Sequence, residues 1–410
     1  MTRDEAQALD AADPLAPLRD LFDLPPGVIY LDGNSLGPLP RATPARLTQA
    51  ITEEWGRGLI GSWNSAGWMD MPRRVGDLIA PLIGAAPGQV VVADSTSVNL
   101  HKLLAAALRL APLSQRRAIL TEAGNFPTDR YIAAETARLH GAVLEDCTPE
   151  TLHAALATRP AVLLLTQVNY RTGAMQDMAA VTRAAQAQGT LVVWDLAHSA
   201  GAVPVDLLGA GADFAVGCGY KFLNGGPGAP AFLWVHPRHA EHAETPLPGW
   251  LGHAAPFDFT PDYAPAPGVA RFICGSPAVL SMTALECGVA TLRAADALGG
   301  MGAIRAKSLA LTSLFIDRAA ARCPGLACVT PAQRGSQVSF ARQEGGYAII
   351  RALIARGVIG DFRAPDILRF GVTPLYTRFV DVWDAVEHLA AVLDSGEWRA
   401  ARFAERLAVT

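Results

Sequence analysis

Apolar residues fall into short continuous runs, separated by longer stretches in which they recur every third or fourth position. The runs VIYLD (28–32), GQVVVAD (88–94), RAILTEAG (117–124), AVLLLTQVNY (161–170), TLVVWDLAHSAG (190–201), ADFAVGCG (212–219) and PAFLWVH (230–236) predict strands. Between them, STSVNLHKLLAAALRL (95–110), TDRYIAAETARLHG (128–141) and MAAVTRAAQAQG (178–189) predict helices, the last two closed by Gly141 and Gly189. Continuous apolar strands alternating with helices predict an α/β chain whose mostly parallel sheet carries helices on both faces. Pattern is weak over 237–278, which is rich in Pro, Gly and aromatics and predicts a long loop region. A long helix from about 279 follows, then helical KSLALTSLFIDRAAARC, the strand-like LACVT and GSQVSFA, and helical EGGYAIIRALIARG. We read 1–60 as an N-terminal segment contributing to a small domain and the edge of the site, 61–289 as a large domain, and 290–410 as a smaller C-terminal α+β domain.

Composition narrows the partners. The 34 Lys+Arg against 38 Asp+Glu give a net charge of −4 over 410 residues, without the clustered positive charge that nucleic acid requires. Mean hydropathy is +0.22, yet no apolar run approaches the ~20 residues of a spanning helix. The acidic N-terminus lacks the apolar core of a secretory signal. Cysteines 147, 218, 274, 287, 323 and 328 are scattered with no CxxC pair, so neither a disulfide framework nor a metal site is expected. These features together predict a reduced cytoplasmic setting.

The strongest chemical signal lies at consecutive strand ends. Asp195 closes one apolar strand, with His198 three residues on, and Lys221 follows the next strand beside Tyr220 and ahead of a glycine run. Open parallel sheets bind ligands at the carboxyl ends of their strands, which directs these side chains to one crevice. An Asp and a Lys so placed suit pyridoxal 5'-phosphate (PLP): the Lys bonds the aldehyde, and the Asp keeps the pyridine nitrogen protonated. Taken singly, each reads first as structural, Asp195 as a helix cap and Lys221 as a surface residue; it is the pair that points to function. Ser95, Thr96 and Ser97 open a helix after the strand VVVAD, an anion site or plain capping. Phe126 and Asp129 stand in the loop after the next strand, where an aromatic can stack on a flat ring or pack in a buried loop.

With these residues in view, the chain resembles the kynureninases, fold-type I PLP enzymes. The resemblance is carried by YLDGNSLG (30–37), STSVNL (95–100), NFPTD (125–129), YRTG (170–173), DLAHSAG (195–201), YKFLNGGPG (220–228), GWLGH (249–253), RFICGSP (271–277) and LRFGVTPLY (368–376). It implies a PLP-dependent hydrolase that cleaves L-kynurenine to anthranilate and L-alanine in tryptophan catabolism. It further implies a homodimer with shared active sites. Lys221 would be the Schiff-base lysine and Asp195 the pyridine partner, with His198 at the cofactor. Thr96, Ser97 and Tyr220 would meet the phosphate, Phe126 and Asp129 would flank the ring, and Thr166 would contact the cofactor region. Trp250 and Ser276 would reach a phosphate of the neighbouring subunit. Arg369 would clamp the substrate carboxylate, a role its planar fork suits, although without the resemblance it reads first as a surface or structural ion-pair residue. Asn34 and Ser35 would line the substrate pocket. Beside the resemblance, SWNSAGW (62–68) supplies Trp63 and Trp68, aromatics suited to pack on an aryl group or in the core, and Tyr220, a phenol able to relay a proton, is the candidate acid-base helper. Relatives favouring the 3-hydroxylated substrate carry Asn at the position of Ser276.

Two rivals remain. Gly33-Asn34-Ser35-Leu36-Gly37 also satisfies the G-x-S-x-G elbow of serine hydrolases, but Pro38 and Pro40 forbid the helix an elbow needs. A cysteine desulfurase would need a mobile nucleophilic cysteine. Cys323 and Cys328 are the candidates, and both are expected to be buried. No dinucleotide loop, phosphate-binding P-loop or zinc-protease motif occurs.

Overall fold

The computed structural model describes residues 1–112 and 116–407. After the short strand β1 (Ile29–Tyr30) come the strands of the main sheet: β2 (Val90–Val92), β3 (Arg116–Glu122), β4 (Val143–Cys147), β5 (Pro160–Thr166), β6 (Leu191–Asp195), β7 (Phe214–Gly217) and β8 (Phe232–Val235). Their order is β2-β8-β7-β6-β5-β3-β4. The β4-β3-β5-β6-β7 stretch is parallel, whereas β8 runs antiparallel to both β7 and β2. The sheet is therefore mostly parallel, as the pattern predicts.

Side chains alternate along each strand, which explains the unbroken apolar runs. On β5, Leu163 and Leu165 enter one core while Val162 and Leu164 enter the other; on β6, Val192 and Trp194 oppose Val193. The helices Met71–Ile79 and Met178–Ala187 cover the first face, and Thr96–Leu110 covers the second through Leu100, Leu103 and Leu104. The segment 237–278 holds only one short helix, Pro237–Ala240, and two 3-10 turns.

A second, smaller layer follows the helix Gly300–Arg322. Its strands are β9 (Ala327–Cys328), β10 (Gln337–Ala341), β11 (Val358–Ile359), β12 (Asp361–Arg363) and β13 (Ile367–Gly371). An antiparallel sheet runs β12-β13-β10-β9, and β11 pairs in parallel with β1. The N-terminal segment joins this core through Ala6 and Leu31. The helix Phe379–Ser395 closes it with Val382, Val386 and Leu389.

One expectation fails here. Cys323 is buried, but Cys328 is exposed. It sits on β9, which ends the sheet and pairs on one side only, so no second strand covers it.

The Phe315 ring lies 4.8 Å from Phe370 and 5.7 Å from Phe340, all at the centre of the smaller core. Phe370→Ala should lower stability by about 3–5 kcal/mol through lost burial and the cavity left behind. Urea unfolding checks this, with the midpoint expected to fall at unchanged slope.

Candidate active site

The carboxyl ends of β5, β6 and β7 set the site. Register places Thr166 opposite Asp195, and Asp195 opposite Val216. The Asp195 carboxylate is buried and accepts the Ala197 N–H at 2.8 Å. Burial raises its proton affinity, while Lys221 and the Ala197 N–H favour its charge. Asp129 lies beside it on the first turn of the helix Pro127–Leu139. Burial, then the Asp195 charge, push Asp129 well above the carboxylate range, so it stays protonated. Thr166 donates from its hydroxyl to Asn125.

Lys221 follows β7 in a turn rich in left-handed residues, with Asn224, Gly226 and Gly228 at positive φ. Its Nζ meets His198 Nε2 at 3.1 Å and stands 5.9 Å from the Phe126 ring centre and 5.7 Å from that of Tyr220. Burial first, then the charges of Lys221, Arg369 and Arg363, hold His198 well below its ordinary value. It is therefore neutral, and Nε2 can accept from the lysine. Burial and the neighbouring Cys218 and Asp195 raise the Tyr220 phenol, which stays a donor. The other two lysines of the chain are committed elsewhere: Lys102 pairs with Asp94 at 2.5 Å and Lys307 with Asp13 at 2.6 Å, both nearly unexposed.

The N-terminal loop comes up against this turn. Gly37 N–H donates to the Tyr220 carbonyl at 2.8 Å. A Cβ at Gly37 would stand 2.6 Å from the Lys221 carbonyl oxygen, so only glycine permits the approach. Ser35 lies between three charged side chains. It donates to Asp361 at 2.8 Å and accepts from Arg369 at 2.8 Å and Arg363 at 3.0 Å. No helix starts at Ser35, and no histidine hydrogen-bonds to it among the described residues, so a serine-hydrolase elbow is not built. Asn34 is fully buried against Gly371, with both amide atoms unpartnered among the described residues.

Arg369 is 1% exposed and held from three sides: Asp361 takes its Nε and one terminal nitrogen, Ser35 shares that nitrogen, and the Tyr170 carbonyl takes the other at 2.7 Å. Tyr170 also packs edge-on against Phe126 at 5.1 Å. A continuous path thus runs from Lys221 through Phe126 and Tyr170 to Arg369. Asp361 and Arg363 are absent from the sequence reading because GDFRAPD carries no recognisable spacing. Tyr170 lies in a quoted motif, but its role comes through its carbonyl, which no residue type reveals.

Ser95 caps the helix Thr96–Leu110 by accepting the Val98 N–H at 3.3 Å. The Thr96 and Ser97 hydroxyls make no hydrogen bond among the described residues and stay free for an anion at the helix N-terminus. Trp63 packs on Trp250 at 5.6 Å and on Trp68 at 6.2 Å. Gly249 lies so close to Cys274 that a Cβ would meet its carbonyl oxygen, which sets Trp250 beside the segment bearing Ser276. Lys102 Nζ, paired with Asp94, also donates to the Phe272 carbonyl at 2.7 Å. Trp63 and Trp250 thus pack together, while Ser276 lines a cavity with Asp94, just ahead of the Thr96–Leu110 helix.

Residues 304–389 match the kynureninase C-terminal domain family. The chain is 57% identical over 420 residues to a kynureninase of Burkholderia pseudomallei, and 53% over 419 to one of Pseudomonas fluorescens, each aligned along all of both chains. The chain belongs to the kynureninase family. Its fold also resembles a cysteine desulfurase of Thermococcus onnurineus (TM-score 0.79, 17% identity, 92% of this chain and 98% of that one). A C-DES variant with glycine linked to its PLP cofactor fits as well (TM-score 0.79, 18% identity, 91% and 98%). At such identities these two establish only the fold-type I architecture.

PLP is the cofactor of this family, and the residues fit it. Asp129 Oδ2 and His198 Nδ1 are buried without partners among the described residues. With the open helix N-terminus and the uncommitted amine of Lys221, they suit a flat, charged, phosphorylated aldehyde. When bound, PLP supplies a protonated ring that withdraws electrons from the substrate. If Thr96 and Ser97 hold the phosphate, Thr96→Val with Ser97→Ala should weaken PLP binding by about tenfold or more, since hydrogen bonds to charged groups are each worth about 1.5–3 kcal/mol. Absorbance titration of the apoenzyme with PLP measures it.

Proposed function

We propose that the chain hydrolyses the Cβ–Cγ bond of L-kynurenine, with water supplying OH to the aryl carbonyl carbon and H to Cβ, to give anthranilate and L-alanine. The observation that carries this reading is the Lys221–His198–Asp195 grouping within a chain that aligns end to end with named kynureninases. Lys221 Nζ removes and holds the substrate α-proton, with neutral His198 orienting the amine. Asp195, backed by protonated Asp129, keeps a positive charge at the ring nitrogen. Tyr220, a phenol held in its donor form, protonates at the substrate carbonyl. Arg369 binds the α-carboxylate, with Ser35 and Asn34 shaping that end of the pocket.

The same reading makes the enzyme a homodimer, with Trp250 and Ser276 reaching the partner's phosphate and Trp63 packing on the aryl ring. It divides the chain into stretches 1–60, 61–289 and 290–410. It places the enzyme in the cytoplasm and in tryptophan catabolism. Among the described residues no helix is long and apolar enough to cross a membrane.

Lys221→Ala should abolish turnover while the protein stays folded, because nucleophile and base leave together. Product absorbance and a circular dichroism spectrum check both halves, and normal turnover would refute the assignment.

Ser276 is a short, exposed hydroxyl two residues beyond Cys274, whose backbone packs against Gly249. It reaches less far than Asn toward a ring substituent, so an added 3-hydroxyl loses water without gaining a partner. The expected ratio of kcat/KM favours plain L-kynurenine over its 3-hydroxy form by about tenfold or more. Competition between the two substrates measures the ratio, and a preference for the hydroxylated one would overturn this specificity.

A further inference from the structure

Register sets Asp361 on β12 directly opposite Arg369 on β13. Asp361 accepts from Arg369 at 2.8 and 2.5 Å and from Arg363 at 2.6 Å. A cavity of about 490 Å³ opens here, lined by Asp32, Ser35, Asp361 and Arg363, with Tyr30 and Arg406 at its wall. Asp32 is joined to Gly371, two places beyond Arg369, by a backbone bridge. Its Oδ1 is buried with no partner among the described residues.

The charges around Asp32 decide what the cavity attracts. Beside Asp32, Arg363 at the cavity wall and buried Arg369 supply two positive charges, and Asp361 cancels one; Arg406, also at the wall, stands over the Tyr347 ring and lies outside this pair. Although burial opposes it, the two guanidiniums hold Asp361 below the usual carboxylate range, so it remains ionised. The phenols of Tyr30 and Tyr376, both raised chiefly by burial, are neutral. Ser35 contributes a dipole only. The remaining group is Asp32 itself: ionised, it cancels the guanidinium pair; protonated, it leaves one positive charge for an incoming anion.

We propose that Asp32 takes up a proton when a carboxylate binds at the Arg363–Arg369 pair, so that the pair meets the substrate with one uncancelled charge. Asp32 is then a positioning residue for the carboxylate clamp, and the inference rests on reading Arg369 as that clamp. Its titration is already close to neutrality: burial first, then repulsion from Asp361, push Asp32 up to about 7 against the pull of Arg369 and Arg363. The sign follows. Well below that value Asp32 is already neutral and binding takes up nothing. Above it the proton must be acquired on binding, so affinity falls as pH rises.

The probe is 4-(2-aminophenyl)-4-oxobutanoate, the substrate skeleton with its carboxylate and aryl amine but without the α-amine, bound to the PLP-loaded enzyme. Titration calorimetry in buffers of different ionisation enthalpy reads the proton count. At about pH 7.5 the wild type should take up roughly half a proton per site, declining to near zero by about pH 5.5. The primary amide of the probe should cause no uptake, and Asp32→Asn should abolish it. Binding of the probe to wild type without uptake anywhere between about pH 6.5 and 8.5 overturns the proposal, whether or not the variant folds. Uptake that persists in Asp32→Asn also overturns it. Arg369→Met separates the two readings. If that variant binds the probe like wild type, the clamp assignment fails and this inference with it. If it loses the probe while wild type shows no uptake, the clamp stands and only the proton coupling fails.

Discussion

Everything at the site depends on the Asp195 carboxylate being buried at the end of β6. A carboxylate there is costly unless a positive group faces it. The sheet allows one direction from which that group can come. Both faces are sealed by helices, and the neighbouring strands stand level with Asp195 at Thr166 and Val216. β7 runs one residue further, to Gly217, and beyond these carboxyl ends the crevice is open. Lys221 is delivered into it by the turn after β7, and a protonated ring nitrogen can occupy the same crevice. Asp129 makes the demand stronger, because a second carboxyl beside Asp195 is tolerated only by keeping its own proton.

The N-terminal loop is what makes two cores into one site. Leu31 N–H donates to Ile359 and Gly371 N–H to Leu31, tying the loop to β11 and β13 of the smaller core. A few residues later Gly37 N–H donates to Tyr220, beside the lysine of the larger core. Between these anchors Ser35 bonds to Asp361, Arg363 and Arg369 at once. The loop therefore spans the reacting amine at one end and the guanidinium pair at the other. Its glycines serve that path: Gly33 would clash with the Tyr376 hydroxyl if it carried a Cβ, and Gly37 with the backbone of the lysine turn.

Period and punctuation made the larger sheet legible, because parallel strands buried on both faces are apolar throughout. Where that rule lapses the sequence is mute. β4 reads VLEDC and lies at the sheet edge, its side chains half exposed, so polarity hides it. The reversed direction of β8 leaves no trace in composition, since β8 is as buried as its parallel neighbours. In the site, the residues that the structure gathers around Lys221 by their side chains were legible: Asp195, His198, Phe126. Those acting by position were not. Tyr170 contributes a carbonyl, and Asp361 and Arg363 matter because β12 happens to pair with β13 in one register. Cys328 shows the converse error: an apolar setting in sequence implied burial, but an edge strand leaves it open.

The two ends of the site are also joined electrically. His198 is kept neutral by burial and by three nearby positive groups, and two of these, Arg369 and Arg363, belong to the carboxylate end. Where Asp32 takes up a proton as the anion arrives, as proposed, the two charges cancel and His198 feels little change; only below about pH 7, where Asp32 is already neutral, does an anion on the guanidinium pair offset that repulsion. A neutral imidazole first accepts a hydrogen bond from the lysine and orients it. On the proposed reading of Arg369 and Lys221, the two ends are therefore coupled through charge alone, and the coupling reaches the imidazole beside the lysine only where Asp32 is already neutral.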